Sequence, residues 1–163
     1  MGNRSEKRLS SGPASLHEVE KFIEHVSDEF HLNNTYYGNM LIAVTEAIKN
    51  AIDHGNQADE SKTVRLVFEV RKEGLAFVIT DHGIGFNFSE YEDLEKLMNS
   101  DQYRGNGMVL IHSLSDEVRF SDGGRTIELL FRVNGIDERI MESRFELMQQ
   151  YMKVMTRMQN MEG

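Results

Sequence analysis

A chain of 163 residues with one proline, no cysteine and a formal charge of −9 has room for one domain with a proper core and an appendage, and it lacks the thiols of a disulfide framework, a thiolate metal site or a cysteine nucleophile. The negative balance argues against a nucleic-acid surface, which needs a positive field over phosphates, and no run of Lys or Arg supplies one locally. No apolar stretch approaches transmembrane length and the opening MGNRSEKRLSSGP lacks the apolar run of a signal peptide, so a cytoplasmic protein with no membrane partner is expected.

Residues 1–14 read as a disordered tail, residues 15–133 as the folded domain and residues 134–163 as a C-terminal amphipathic helix. From Ser15 to His31 apolar side chains recur at Leu16, Val19, Phe22, Ile23, Val26 and Phe30, the three-and-four spacing of a helix, with Ser15 as N-cap and Glu18 closing a capping box. A turn at Asn33 and Asn34 leads to a second helix from about Thr35 to His54, ending in TEAIKNAIDHGN. There a 3.6-residue period gathers Glu46, Asn50 and Asp53 on one side and Ala43, Ile48 and Ile52 largely on the other. Glu46 and Asn50, four apart, address one small volume fit for a metal, a water or a hydroxyl, and Gly55 suits a left-handed residue ending the helix. Taken alone, the stretch also reads as an ordinary helix with a solvated polar face.

Val64, Leu66, Phe68 and Val70 alternate with charged residues from Thr63 to Arg71, a strand with one buried face, and Lys72-Glu73-Gly74 turns the chain into a second strand, Leu75 to Thr80, antiparallel to the first. Asp81-His82-Gly83-Ile84-Gly85 follows, with glycines that let the backbone turn sharply and approach a ligand, and with Asp81 at the strand's end facing whatever is bound. A simple turn explains the same residues equally well. Asn87 to Tyr103 is acidic and poor in apolar residues, and reads as a partly helical, mobile cover over a site. Arg104-Gly105-Asn106-Gly107 then opens a helix, Met108 to Leu114, whose first backbone amides are suited to an anion. A second hairpin, Asp116–Ser121 and Arg125–Val133, turns at Asp122-Gly123-Gly124. Beyond Gly135, six of the ten methionines lie on a wide apolar stripe of six or seven helical turns, suited to packing on the parent domain or on a second copy in a homodimer.

Helix, helix with ExxxN, hairpin, DxGxG, acidic cover, GxG opening a helix and final hairpin, in that order, resemble the GHKL ATPase fold of gyrase, heat-shock chaperone ATPases, histidine kinases and MutL-type proteins. Within it, TEAIKNAIDHGN and GNGMVLIHSLSDEVRF are most similar to the anti-sigma-factor serine kinases of bacterial partner-switching systems. The resemblance spans about Ser15 to Val133 and implies an α+β two-layer sandwich: a mixed, mostly antiparallel sheet with helices on one face, to which the C-terminal helix is an addition. It implies ATP and Mg2+ as ligands, with Asn50 holding the metal by its side-chain oxygen and Glu46 as the base at the attacking hydroxyl. Asp81 would accept from the adenine amino group, Gly83 and Gly85 would let the base sit close, and Gly105 and Gly107, with Asn106 and Met108, would meet the phosphates. Thr126 matches a threonine near the adenine; Arg104 is expected at a phosphate, and Asp53 and His54 beside the nucleotide.

By the same resemblance the partners are a sigma factor and a small anti-anti-sigma (STAS-type) protein phosphorylated on serine or threonine. Glu20 stands on or near the position where the family carries a partner-contacting arginine, a reversal of charge that leaves the partner's identity open. No GxxxxGK[ST] loop occurs, so glycine backbones alone would cradle the phosphates. Phosphoryl transfer asks for a metal, backbone donors and a residue orienting the nucleophile, and the chain offers one of each. Two other readings stand beside the kinase: a nucleotide-dependent binding module without transfer chemistry, and an ATP hydrolase that opens and closes a dimer.

Overall fold

A computed structural model describes residues 3–99, 107–133 and 138–162, with side chains described for 3–99, 107–133 and 146–161. In chain order the elements are β1 (Arg4–Ser10), α1 (Ala14–Glu29), α2 (Asn34–Asn50) continuing into a π-helical turn (Ala51–Gly55), β2 (Thr63–Arg71), β3 (Gly74–Thr80), a 3-10 turn (Ser89–Tyr91), α3 (Leu94–Met98), α4 (Met108–Leu114), β4 (Glu117–Ser121), β5 (Thr126–Phe131) and α5 (Glu138–Glu162). The five strands form one sheet in the order β1-β2-β3-β5-β4, and every described pairing is antiparallel. The fold is the expected α+β sandwich with an added C-terminal helix.

Strand alternation divides the sheet into two chemically different faces. Val64, Leu66, Phe68, Leu75, Phe77, Ile79, Ile127, Leu129 and Phe131 point to one side and join Val19, Ile23 and Val26 of α1, Met40, Val44 and Ile48 of α2, and Leu110 and Ile111 of α4 in a single core. Phe22, Phe68, Phe77 and Phe131 run through it as edge-on and tilted ring pairs. The opposite face is a lattice of ion pairs crossing all five strands: Arg4 with Glu69, Arg65 with Glu6, Arg71 with Glu128, and Arg119 with Glu128 and Glu117. Between them Val67, Ala76 and Leu130 stay buried, in keeping with long charged side chains covering apolar surface with their stems.

The structure departs from the sequence reading in three places. The expected tail contains β1, which pairs along its whole length with β2 and buries Leu9 in the core. Helix α1 begins before Ser15, which is buried inside its first turn and donates its hydroxyl to the Gly12 carbonyl, so the Ser15–Glu18 capping box is not formed. The end of α2 is not closed by a left-handed Gly55: the wide π turn runs into Asn56, and the positive φ values fall at Gln57 and Ala58. The turn residue Asn33 caps the start of α2, its side chain accepting from the Tyr36 amide.

Candidate functional site

The C-terminal turns of α2, the loop after β3 and the β4–β5 turn enclose a cavity of about 430 Å³, the size of a small-ligand site. Its wall on α2 is Ala47, Asn50, Ala51, His54 and Gly55, a stripe at helical spacing. Asp81, Ile84, Gly85 and Phe86 supply the loop side, Arg125 and Ile127 the strand side, and Tyr91, Phe120 and Met108 the rim. Asp53 is exposed and absent from this wall, because the stripe is centred on the other flank of Asn50. Of the two residues expected beside the nucleotide, His54 therefore lines the cavity and Asp53 does not.

Asp81 is held at the floor with little freedom. Its amide donates to the Arg125 carbonyl, its Oδ1 accepts from the Gly83 amide at 2.8 Å, and it is 8% exposed. Burial raises its pKa above the ordinary carboxylate value, opposed by the Gly83 amide and the nearby Arg125 charge. Its Oδ2 lies 2.3 Å from where a Cβ on Gly55 would stand, and a Cβ on Gly83 would sit 2.0 Å from the Gly55 carbonyl oxygen. Only two glycines let the end of α2 and the loop meet this closely. The loop is clamped from the far side as well: the Arg125 Nε donates to the Gly83 carbonyl and the Phe86 amide to the Gly123 carbonyl.

Asn56, which the sequence reading passed over, ties these parts together. Fully buried, it donates through Nδ2 to the Ser11 hydroxyl and the Thr63 carbonyl and accepts the His82 amide on Oδ1. One side chain thus joins the end of β1, the start of β2 and the Asp81 loop.

Thr126 is not brought to the cavity. Its hydroxyl is 3.0 Å from that of Thr80 across the β3–β5 ladder, while Arg125 and Ile127, its neighbours, line the wall. The cause is the two-residue period of a strand, which turns alternate side chains to opposite faces.

Glu46 stands one turn before Asn50 beside the cavity, 8% exposed, with its Oε2 2.3 Å from where a Cβ on Gly107 would stand. Gly107 has φ +74 and precedes α4 directly, so the absence of a side chain there serves both the backbone turn and the approach of the carboxylate. The Lys49 Nζ lies 3.5 Å from Glu46 Oε1, and the Tyr151 hydroxyl of α5 donates to that same oxygen at 3.0 Å. The Asn50 carboxamide has no partner among the described residues. Among these residues no three His, Asp or Glu side chains gather as a metal site, so a magnesium ion here would rest on Asn50 and on oxygens of the ligand. Arg104, Gly105 and Asn106 lie outside the described residues.

Residues 9–131, from the end of β1 to the last residue of β5, match the histidine kinase-like ATPase domain. The chain belongs to that family. Membership implies nucleotide binding. Among curated proteins the chain is 34% identical over 101 residues to serine-protein kinase RsbW of Bacillus subtilis (strain 168), covering 58% of this chain and 63% of that protein. It is 30% identical over 95 residues to RsbW of Bacillus mycoides (strain KBAB4), 54% and 59% respectively, and 29% identical over 94 residues to the anti-sigma F factor of Clostridium perfringens (strain SM101 / Type A), 55% and 66%. The matches to the two RsbW proteins span about three-fifths of their length.

In this histidine kinase-like ATPase domain residues 87–99, the described part of the segment read from the sequence as a cover, are partly helical, while residues 100–103 lie outside the described residues. Leu97 of α3 is fully buried, and His112 of α4 holds the preceding turn: its Nε2 lies 2.5 Å from the Tyr91 carbonyl, which can only accept, so that nitrogen carries the proton. Burial lowers the pKa of His112 below the ordinary 6.5, which keeps the ring neutral near pH 7. No described helix is long and apolar enough to cross a membrane.

Proposed function

We propose that the protein binds ATP with magnesium in this cavity and transfers the γ-phosphoryl group to a serine or threonine hydroxyl of a small anti-anti-sigma-type partner, while also binding a sigma factor. The observation that carries the reading is that Glu46, pressed against Gly107, stands one helical turn from Asn50, which lines the same cavity as the buried Asp81; Glu46 and Gly107 themselves lie just outside that lining. Asp81 is suited to accept from an exocyclic amino group of the base, and the apolar walls Ile84, Phe86 and Ile127 to take its ring faces. Asn50 offers the oxygen for magnesium, whose chemistry when bound is to neutralise charge on the phosphates. Glu46 orients the acceptor hydroxyl and takes its proton as the new O–P bond forms and the bond from phosphorus to the ADP oxygen breaks.

The names of the relatives, serine-protein kinase RsbW and anti-sigma F factor, support this choice of reaction and partners. One observation favours the binding module without transfer: the Tyr151 hydroxyl already engages Glu46. One variant tests the nucleotide site common to both readings and a second separates them. Asn50→Ala should weaken Mg-dependent ATP binding in calorimetry at least tenfold, about the worth of one charge-assisted contact. Glu46→Gln should leave ATP affinity within about twofold while lowering phosphoryl transfer by roughly 10²-fold or more. A Glu46→Gln protein that transfers as fast as the parent would defeat the kinase reading.

A further inference from the structure

The family match ends at residue 131, and α5 lies wholly beyond it. This helix packs against α2 and α4 rather than against the sheet. Its inward side is Leu147, Met148, Tyr151 and Met155, and the rest of its described surface is exposed. Where it crosses α2, Met148 sits over Gly38, with Sδ 3.4 Å from where a Cβ would stand. Glycine within a helix is costly relative to alanine, and here it leaves the space that Met148 fills. One turn later the Tyr151 hydroxyl donates to Glu46 Oε1, while Oε2 faces Gly107. Burial and the Glu46 charge push the Tyr151 pKa up to about 12, so the phenol remains a donor at any ordinary pH.

A hydroxyl donating to one oxygen of Glu46 is the contact that an acceptor serine would make there. Resting on the reading of Glu46 as the transfer base, we propose that α5 is an intramolecular strap: Tyr151 occupies the acceptor-hydroxyl position, and a protein substrate must displace the helix before phosphoryl transfer begins. The strap is built to release. Along its described side chains, 146–161, it is held on one narrow side, while Met152, Val154, Met158 and Met161 stand exposed.

The test uses the full chain and two readouts. Gly38→Gln places a good helix former in α2 and a side chain where Met148 now sits, lifting α5 without weakening α2; Tyr151→Phe removes only the hydroxyl. The first readout is modification of the Glu46 carboxylate by a water-soluble carbodiimide with glycine ethyl ester, followed by mass spectrometry of the peptide. The second is turnover of Mg-ATP with water as acceptor. Gly38→Gln should raise Glu46 modification roughly fivefold or more, Tyr151→Phe less, and both should raise turnover, with the gain lost on adding Glu46→Gln. Unchanged modification in both variants overturns the strap and leaves the kinase reading intact. Increased modification with turnover that neither rises nor depends on Glu46 removes the base itself, and with it the inhibitory role of α5.

Discussion

At the Asp81 end of the cavity the loop is fixed by its neighbours: the Gly83 amide and Arg125 hold the carboxylate's loop, Asn56 holds the His82 amide, and two glycines leave no slack between the end of α2 and the turn. At the Glu46 end the corresponding group is held by Lys49 on its own helix and by Tyr151, more than a hundred residues away on a helix outside the family match. The first arrangement is preorganised, with the cost of ordering met during folding. The second is suited to change partners, since the hydroxyl on Glu46 belongs to a helix that, among its described side chains, turns only Leu147, Met148, Tyr151 and Met155 inward. The proposed transfer, which grips a nucleotide and then admits a hydroxyl from another protein, needs both kinds of construction.

The contrast is broken most severely at Asn56. Asn56→Ala would break three hydrogen bonds made by a fully buried side chain, to the Ser11 hydroxyl, the Thr63 carbonyl and the His82 amide, a loss of about 2–4 kcal/mol. Chemical denaturation should show that loss as a lower midpoint with an unchanged slope. A loss under about 1 kcal/mol would mean that water replaces the side chain and that the Asp81 end is less rigid than its bonds suggest.

The two glycines that abut the carboxylates sharpen the comparison. Gly55→Ala brings a methyl to 2.3 Å from Asp81 Oδ2, and Gly107→Ala brings one to 2.3 Å from Glu46 Oε2 at a backbone φ of +74. Each should destabilise the fold by about 1–3 kcal/mol. Their functional effects should separate: Gly55→Ala should weaken adenine-nucleotide binding tenfold or more by displacing Asp81, and Gly107→Ala should spare base recognition and depress transfer. Calorimetry with ADP beside single-turnover transfer measures both. Equal losses of ADP affinity in the two variants would show that the ends are mechanically one unit.

How much of this was legible in the chain follows the same division. The amphipathic helices, both hairpins and the carboxylates Glu46 and Asp81 are written in local pattern, because periodicity and glycine chemistry act over a few residues. Strand β1 was hidden because it is an edge strand whose outward residues are charged and of which only Leu9 reaches the core; its pairing with β2 depends on a partner 59 residues away, as in the Glu6–Arg65 bond. The π turn that carries α2 into Asn56 has no sequence signature, so the cavity-side stripe included His54 and left Asp53 in solvent. Asn56 reads as a loop residue until three separate segments converge on it. Tyr151 could be placed on the inner stripe of α5, but its arrival at Glu46 is a tertiary fact.

Thr126 gives the smallest effect and the cleanest check on strand register. The family pattern puts a threonine beside the adenine, yet here the Thr126 hydroxyl pairs with Thr80 on the sheet's other face while Arg125 and Ile127 reach the cavity. Thr126→Val keeps a β-branched side chain in the ladder and removes one partly buried hydrogen bond, so it should cost no more than about 1 kcal/mol of stability. Because the hydroxyl pairs with Thr80 and Thr126 is not part of the cavity wall, ADP affinity should stay within about twofold of the parent. A tenfold loss would require the hydroxyl to reach the base, and hence a register of β5 shifted by one residue, which would also carry Ile127, Leu129 and Phe131 out of the core. Since those three side chains are almost wholly buried between the sheet and its helices, the observed register is the one that the core itself enforces.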